Sequence, residues 1–361
     1  MDYLDRQSTF SGTKPAQGAL ALPREPLALW LSAHVTDFTE ILSLQQFKGG
    51  QSNPTYLITT PSKAYVLRRK PPGQLLKSAH AIDREYHLLQ ALAQADFPAA
   101  RPLAYCADET IIGTAFYVMS HIDGRVIWEP SMPEDQPDDR RAVYRAMAQT
   151  LARLHSLDPH AIGLSGFGKA EGYIQRQVRR WSENYRLSAT ETIDDMDRLM
   201  AWLPDHLPTS QGASIVHGDY RLDNLILAPD QPQIRAVLDW ELATLGDPIA
   251  DLVYHLMAWV MPRSDTGAGT GSLMGLDVEA LGLPRLEDHA ADYAQAAGRS
   301  NLPPLEPYLA YNFFRLAAIL QGIVGRVRDG TASNDNAKAM ADQVRPLAQA
   351  GWHWAQQAER S

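Results

Sequence analysis

At 361 residues and 45% hydrophobic, the chain is too long for one simple core and long enough for two packed lobes of unequal size. Its formal net charge of -9 speaks against a general nucleic-acid surface, and its single cysteine, Cys106, rules out an internal disulfide and a cysteine-built metal cage. No run approaches the roughly 18 uninterrupted apolar residues of a membrane span, and the first residues lack the apolar stretch of a secretory signal, so a cytoplasmic protein without nucleic-acid or membrane partners is expected.

Residues 1–26 are rich in Ser, Gly, Pro and Ala without periodicity and read as a flexible N-terminal arm, or a strap laid over the surface. Leu27, Leu29, Trp30 and Leu31 then open a short amphipathic helix. Short alternating runs at Thr55 to Thr59 and Ala64 to Arg68, broken by Gly-Gly and Pro-Ser, predict antiparallel strands with a glycine turn. Ile82, Tyr86, Leu89 and Leu92 recur at three-to-four spacing before Pro98, which predicts a helix packed on that sheet. Two more β-rich runs follow, "RPLAYCADET" and "TAFYVMSHIDG".

The character changes at "MSHIDGR", residues 119–125, which therefore marks the boundary between a β-rich part, 27–118, and a mainly helical part, 126–361. Val143, Met147, Leu151 and Leu154 form one helical stripe, and the last third is equally helical in period. "PRSDTGAGTGSLMG", from Pro262 to Gly275, reads as a mobile loop. Two lobes of such different composition leave a cleft between them, where ligands usually sit.

The stretch "IVHGDYRLDNLIL" places His217, Asp219, Asp223 and Asn224 between two aliphatic runs, and "IRAVLDWELATLGDP" repeats the device by delivering Asp239 at the end of a strand. Asp219, Asn224 and Asp239 are thereby offered at the tips of buried strands. Phosphoryl transfer from a nucleotide asks for such groups: a carboxylate to take a hydroxyl proton, and oxygen ligands holding magnesium on the phosphates. An Asp followed five residues later by an Asn puts a base and a metal ligand on one loop.

"HGDYRLDN" followed by "VLDWE" resembles the catalytic loop and metal-binding segment of the aminoglycoside phosphotransferase and choline kinase family. Through "YVLRRKPPG" and "HAIDREY" it looks most like the kinase-like half of proteins that also carry an acyl-CoA dehydrogenase module. The resemblance implies an α+β, protein-kinase-like two-lobe fold, with a small antiparallel β lobe with one helix and a larger mainly helical lobe. It further implies that 27–118 binds nucleotide, 119–125 is the hinge, and 126–361 carries catalysis and the acceptor.

Carried over by position, the resemblance makes Asp219 the catalytic base and gives Asn224 and Asp239 to magnesium, with ATP or GTP as phosphate donor. Gly49 to Tyr56, with Gly50, Ser52 and Asn53, becomes the loop covering the phosphates. Arg68 stands where the family presents a lysine to the phosphates; Lys70, on the same face of the strand, is the other candidate. Glu85 is the ion-pair partner that orients this clamp. Backbone groups between Ser120 and Ile122 read the edge of adenine.

Other polar residues have plainer readings. His217 and His155 are expected to be structural, Arg221 and Asp223 to fix the loop, and Asp247 before Pro248 to cap a helix, with Asp251 tying down the loop. Lys169, Arg176, Arg179, Arg180 and Arg186 form a basic run in an acidic protein, which favours an anionic acceptor such as a hydroxyacyl-CoA over a cationic aminoglycoside. The expected activity is magnesium-dependent transfer of a γ-phosphate to a small-molecule hydroxyl. The substitution at Arg68 motivates the alternative, a catalytically silent nucleotide-binding module; the oligomeric state stays open.

Overall fold

The computed structural model describes residues 3–49, 53–71, 81–169, 171–263, 271–329 and 337–360. The first elements are α1 (Tyr3–Phe10), β1 (Thr13–Pro15) and α2 (Arg24–His34), so a helix and a strand lie within the segment expected to be an arm or a strap. β1 pairs with β2 (Ser43–Phe47), and the strap is tied to the sheet below it: the Tyr56 hydroxyl donates to Leu20 O at 2.7 Å and Arg69 to Ala19 O at 2.8 Å. These side chains supply partners that composition alone does not reveal.

β3 (Thr55–Thr59) and β4 (Ala64–Arg69) form the expected hairpin. After α3 (Ile82–Gln94) come β5 (Pro102–Cys106) and β6 (Phe116–Ser120), which complete a six-stranded antiparallel sheet of order β1-β2-β3-β4-β6-β5. Strand alternation decides what each face meets. Tyr65 and Leu67 of β4, with Tyr56, Ile58, Phe116 and Val118, pack under Leu27 and Leu31 of α2. Val66, Tyr117 and Met119 face the other way, onto Ile82, Leu88, Leu89 and Leu92 of α3 and into the core of the second lobe. The small lobe thus carries α2 and α3 on opposite faces of its sheet.

The larger lobe is built from α4 (Pro137–Ser156), α5 (Tyr173–Ser188), α6 (Asp194–Trp202), α7 (Pro248–Leu256), α8 (Leu286–Ala296), α9 (Glu306–Arg328) and α10 (Ala337–Ala358). Val143, Met147, Leu151 and Leu154 of α4 are fully buried, as their stripe predicts. Two short strand pairs interrupt the helices: β7 (Ser214–Val216) with β10 (Thr244–Gly246), and β8 (Leu225–Leu227) with β9 (Ile234–Val237). No helix among the described residues is long and apolar enough to cross a membrane. Residues 264–270 of the expected Pro262 to Gly275 loop lie outside the described residues.

Candidate active site

The β8–β9 hairpin brings two distant polar residues, Asn224 and Asp239, to one end. Leu225 pairs with Val237, and one step outward the Leu238 N–H donates to Asn224 O at 2.8 Å. Asn224 enters β8 and Asp239 follows β9, so antiparallel pairing delivers both at the same end of one hairpin. Asp239 sits in the left-handed region, at φ 61° and ψ 64°, a conformation that Asp tolerates better than most residues. The turn is anchored by Trp240, which is buried edge-on against Phe97 at 5.9 Å and donates its indole N–H to Val237 O.

Asp219 is held next to this end. The Asn224 amide nitrogen donates to Asp219 O at 2.9 Å and to its Oδ2 at 3.0 Å. With that nitrogen so used, the amide oxygen is the Asn224 atom left to offer an ion. The other carboxylate oxygen, Oδ1, accepts from the Tyr254 hydroxyl at 2.7 Å and lies 2.9 Å from Arg221 Nε. Arg221 also pairs with Asp223 at 3.3 Å, so it fixes the loop as expected. Burial, and then the charge of Asp219, push the Tyr254 phenol up, so it stays a donor.

The loop itself is pinned from beneath. Asp251 on α7 accepts from the backbone N–H groups of His217 at 2.7 Å and Gly218 at 2.8 Å, and from His155 Nε2 at 3.1 Å. Burial pushes the Asp251 carboxyl up, but the contacts with His155 and His217 outweigh it and hold the group below the usual carboxylate range. His217 accepts the Asp219 N–H at Nδ1, so its Nε2 carries the proton and donates to Leu238 O at 2.8 Å. Both histidines are structural. Gly218 turns at φ 82°, and a Cβ there would sit 3.0 Å from Leu242 O, so the turn requires glycine. Asp247 caps α7 through Ile249 and Ala250, with Pro248 at the first helical position.

From the small lobe, Arg68 reaches across. Its Nε donates to Glu85 Oε2 at 3.1 Å, one terminal nitrogen to Asp239 Oδ1 at 2.5 Å, and the other to Thr55 Oγ1 at 3.3 Å. The last contact follows from register, which sets Thr55 opposite Arg68. Arg68 and Glu85 side chains are only 8% and 4% exposed. Burial disfavours the guanidinium charge, but the carboxylates of Glu85 and Asp239 outweigh it and keep Arg68 protonated. Lys70 lies past the end of β4, so Arg68 is the cation that the fold brings to this carboxylate pair.

The remaining expected positions are spread along the cleft. Asn53 is buried and donates to Glu241 Oε2 at 3.3 Å, which links the start of β3 to the turn after Asp239. Gly49 lies against Trp128, where a Cβ would be 2.8 Å from the indole. Gly50 and Ser52 lie outside the described residues. Ser120 closes β6 and exchanges hydrogen bonds with the Arg101 backbone, each 2.9 Å. Ile122 is half-buried against the core of the larger lobe, and Arg125 and Leu227 exchange backbone hydrogen bonds that tie the connector to β8.

Beside Asp219 opens a narrow cleft, with a cavity of about 30 Å³, lined by Trp128, Pro130, Tyr144, Met257 and Met261, with Arg221, Asp223 and Tyr254 at its polar end. Sequence reasoning missed Tyr254, Glu241, Arg315 and Trp128. Tyr254 had a signal, since it falls one helical turn after Asp251 in "DPIADLVY"; Glu241 directly follows Asp239-Trp240. Arg315 donates to Gly218 O at 2.9 Å from α9, almost a hundred positions away, and nothing local marks it.

Asn224 and Asp239 fit magnesium, which takes few protein oxygens and completes its shell with phosphates and water. Among the described residues no group of three or more His, Cys, Asp or Glu side chains is placed to hold a metal by itself.

The model of a phosphotransferase enzyme family matches residues 43–308. The chain is 43% identical over 350 residues to acyl-CoA dehydrogenase family member 10 of Mus musculus, which covers 95% of this chain but only 32% of that protein. It thus spans about a third of that relative's length. A crystal structure from Ralstonia eutropha, provisionally named an aminoglycoside phosphotransferase, is 45% identical, with a TM-score of 0.83 over 93% of this chain and 99% of the other. At the level of fold alone, a spectinomycin phosphotransferase solved with ADP and spectinomycin matches over 94% of this chain and 99% of its own at 11% identity and TM-score 0.61. Choline kinase of Cryptosporidium parvum does so over 94% and 96%, at 11% identity and TM-score 0.58. The two-lobed architecture is that of the kinases, and the chain belongs to the phosphotransferase enzyme family.

Proposed function

We propose that the chain is an active small-molecule kinase that moves the γ-phosphate of ATP, or of GTP, to an alcohol. The acceptor oxygen attacks the γ-phosphorus, its proton passes to Asp219, and the bond from phosphorus to the bridging oxygen breaks to release the nucleoside diphosphate. Asn224 and Asp239 would hold magnesium, which would supply charge neutralisation on the phosphates. Arg68, oriented by Glu85, faces those phosphates; Gly49 and Asn53 cover them, and the backbone from Ser120 to Ile122 reads the adenine edge.

One observation carries this reading: the Asp219 carboxylate is shared between the ion side and the acceptor side. Its Oδ2 meets Asn224, its Oδ1 meets Tyr254 and Arg221, and the latter two line the cleft. The apolar wall of that cleft favours an acceptor with a hydrocarbon arm, and with the relationship to acyl-CoA dehydrogenase family member 10 it supports a hydroxyacyl-CoA ahead of an aminoglycoside. The basic face of α5, where Arg179, Arg180 and Arg186 are exposed, suits the anionic end of such a molecule.

A panel of hydroxyacyl-CoA esters, free hydroxy acids and aminoglycosides, assayed for nucleotide-dependent phosphorylation by mass spectrometry, tests the reading. Transfer to one of these compounds supports it. Stabilisation by Mg-ATP with no phosphorylated product across the panel supports instead a silent nucleotide-binding module, the reading favoured by the closure of Arg68 onto Asp239.

A further inference from the structure

The transfer step gives Tyr254 no role of its own, although the phenol touches Asp219. Tyr254 lies on α7, one turn beyond the Asp251 that pins the His217 to Gly218 backbone, so a single helix both fixes the loop and presents a phenol to Asp219 Oδ1 at 2.7 Å. The same ring forms part of the acceptor cleft. Behind it stands Arg315, 6% exposed, whose guanidinium carbon lies 5.2 Å from the centre of the Tyr254 ring while its terminal nitrogen donates to Gly218 O. Among the described residues no carboxylate lies within ion-pair distance of Arg315; its charge is spent on the tyrosine face and on the backbone three residues before the loop's arginine and one before Asp219.

We propose that Tyr254 is the positioning residue for Asp219, with Arg315 fixing the phenol in turn. A carboxylate that must take a proton from an acceptor hydroxyl has two rotational freedoms to lose, and Asn224 restrains only the oxygen on the ion side. Tyr254 and Arg221 together restrain the other, and Tyr254, held on α7, sets the plane of the carboxylate toward the cleft. A group held within a fraction of an ångström of the reacting hydroxyl keeps the advantage that a loosely held one forfeits, by about 100-fold for a 1 Å misplacement. Tyr254 and Arg221 both line the polar end of the cleft, next to the carboxylate that they hold.

The inference rests on the phosphotransferase reading, and its test keeps the two apart. kcat and KM for the acceptor and for Mg-ATP are measured in the wild type and in the Tyr254→Phe, Arg315→Lys, Asp219→Asn and Asp219→Asn/Tyr254→Phe variants, with thermal unfolding followed in each. A wild type that transfers no phosphate refutes the phosphotransferase reading itself. With an active wild type, Tyr254→Phe should lower kcat about 10- to 100-fold, leave KM for Mg-ATP within about twofold, and keep a cooperative melt. Arg315→Lys should show the same split with a smaller loss. The double variant should be no slower than Asp219→Asn alone, because residues that act as a unit are not additive. A Tyr254→Phe enzyme at the wild-type kcat, or a double variant slower than Asp219→Asn by the full Tyr254→Phe factor, overturns the proposal. Should Tyr254→Phe fail to melt cooperatively, Arg315→Lys decides it by the same kcat criterion.

Discussion

Arg68 of the small lobe and Asp239 of the large lobe are joined by a hydrogen-bonded ion pair of 2.5 Å. The pair spans the cleft, and it is anchored on the other side by Glu85, so the guanidinium holds a helix, a strand and the turn after β9 in one relation. A lysine would supply one point charge here; the planar fork of arginine serves both carboxylates at once.

Removing that fork should be costly. Arg68→Met leaves Glu85 buried without its cation, and breaking a buried pair from one side costs about 3 to 5 kcal/mol. Urea unfolding should show this loss, and adding Glu85→Gln should recover most of it. A loss under about 1 kcal/mol would mean that the pair does not anchor the lobe.

Acid should weaken the large lobe through two histidines. His255 and His289 meet at 2.8 Å between their Nε2 atoms, both buried among Tyr144, Tyr220 and Trp259. Burial pushes His255 down to about 4, and burial, then the neighbouring His255, pushes His289 well below its ordinary value. Between pH about 6.5 and about 4 the unfolded chain therefore binds protons that the folded chain refuses. Stability is complete above that window and falls as pH drops through it, by about 1.4 kcal/mol per pH unit for each histidine. Unfolding free energies from pH 7 to 4 should show this slope, and a His255→Gln/His289→Gln variant should lose it; an unchanged slope would place the acid sensitivity elsewhere.

The cap of α7 offers a milder test. Asp247→Ala removes the acceptor for the Ile249 and Ala250 N–H groups and should cost about 0.5 to 2 kcal/mol. Asp247→Asn should restore most of it, by the same unfolding measurement; equal losses in the two variants would mean that the cap is not what Asp247 contributes.

Much of this was legible in the chain, for a local reason. Hydrophobic period fixed the strands from Thr55 to Arg69, the helix holding Glu85 and the α4 stripe, and the Pro248 beside Asp247 announced a cap. Asp219, Asn224 and Asp239 were visible because each interrupts an aliphatic run, and hairpin pairing then brought the last two together. What stayed hidden depends on tertiary placement. Arg315 reads as one charge on a long helix, Trp128 as one aromatic in a loop, and the first 20 residues as a tail, until Gln7 is seen donating to Val126 O and accepting from the Trp128 N–H. Asn224 and Arg221 hold Asp219 from within "HGDYRLDN", but Tyr254 and Arg315, which add to that hold from α7 and α9, leave no trace in its spacing.

The most direct test of the account is the rate of phosphate transfer by the Asp219→Asn variant, in the same acceptor assay and with nucleotide binding followed in parallel. Asparagine keeps the shape and most hydrogen bonds but cannot take the proton. The account predicts that Mg-ATP still binds while kcat falls by about 10²- to 10⁴-fold. Turnover at the wild-type rate would contradict it.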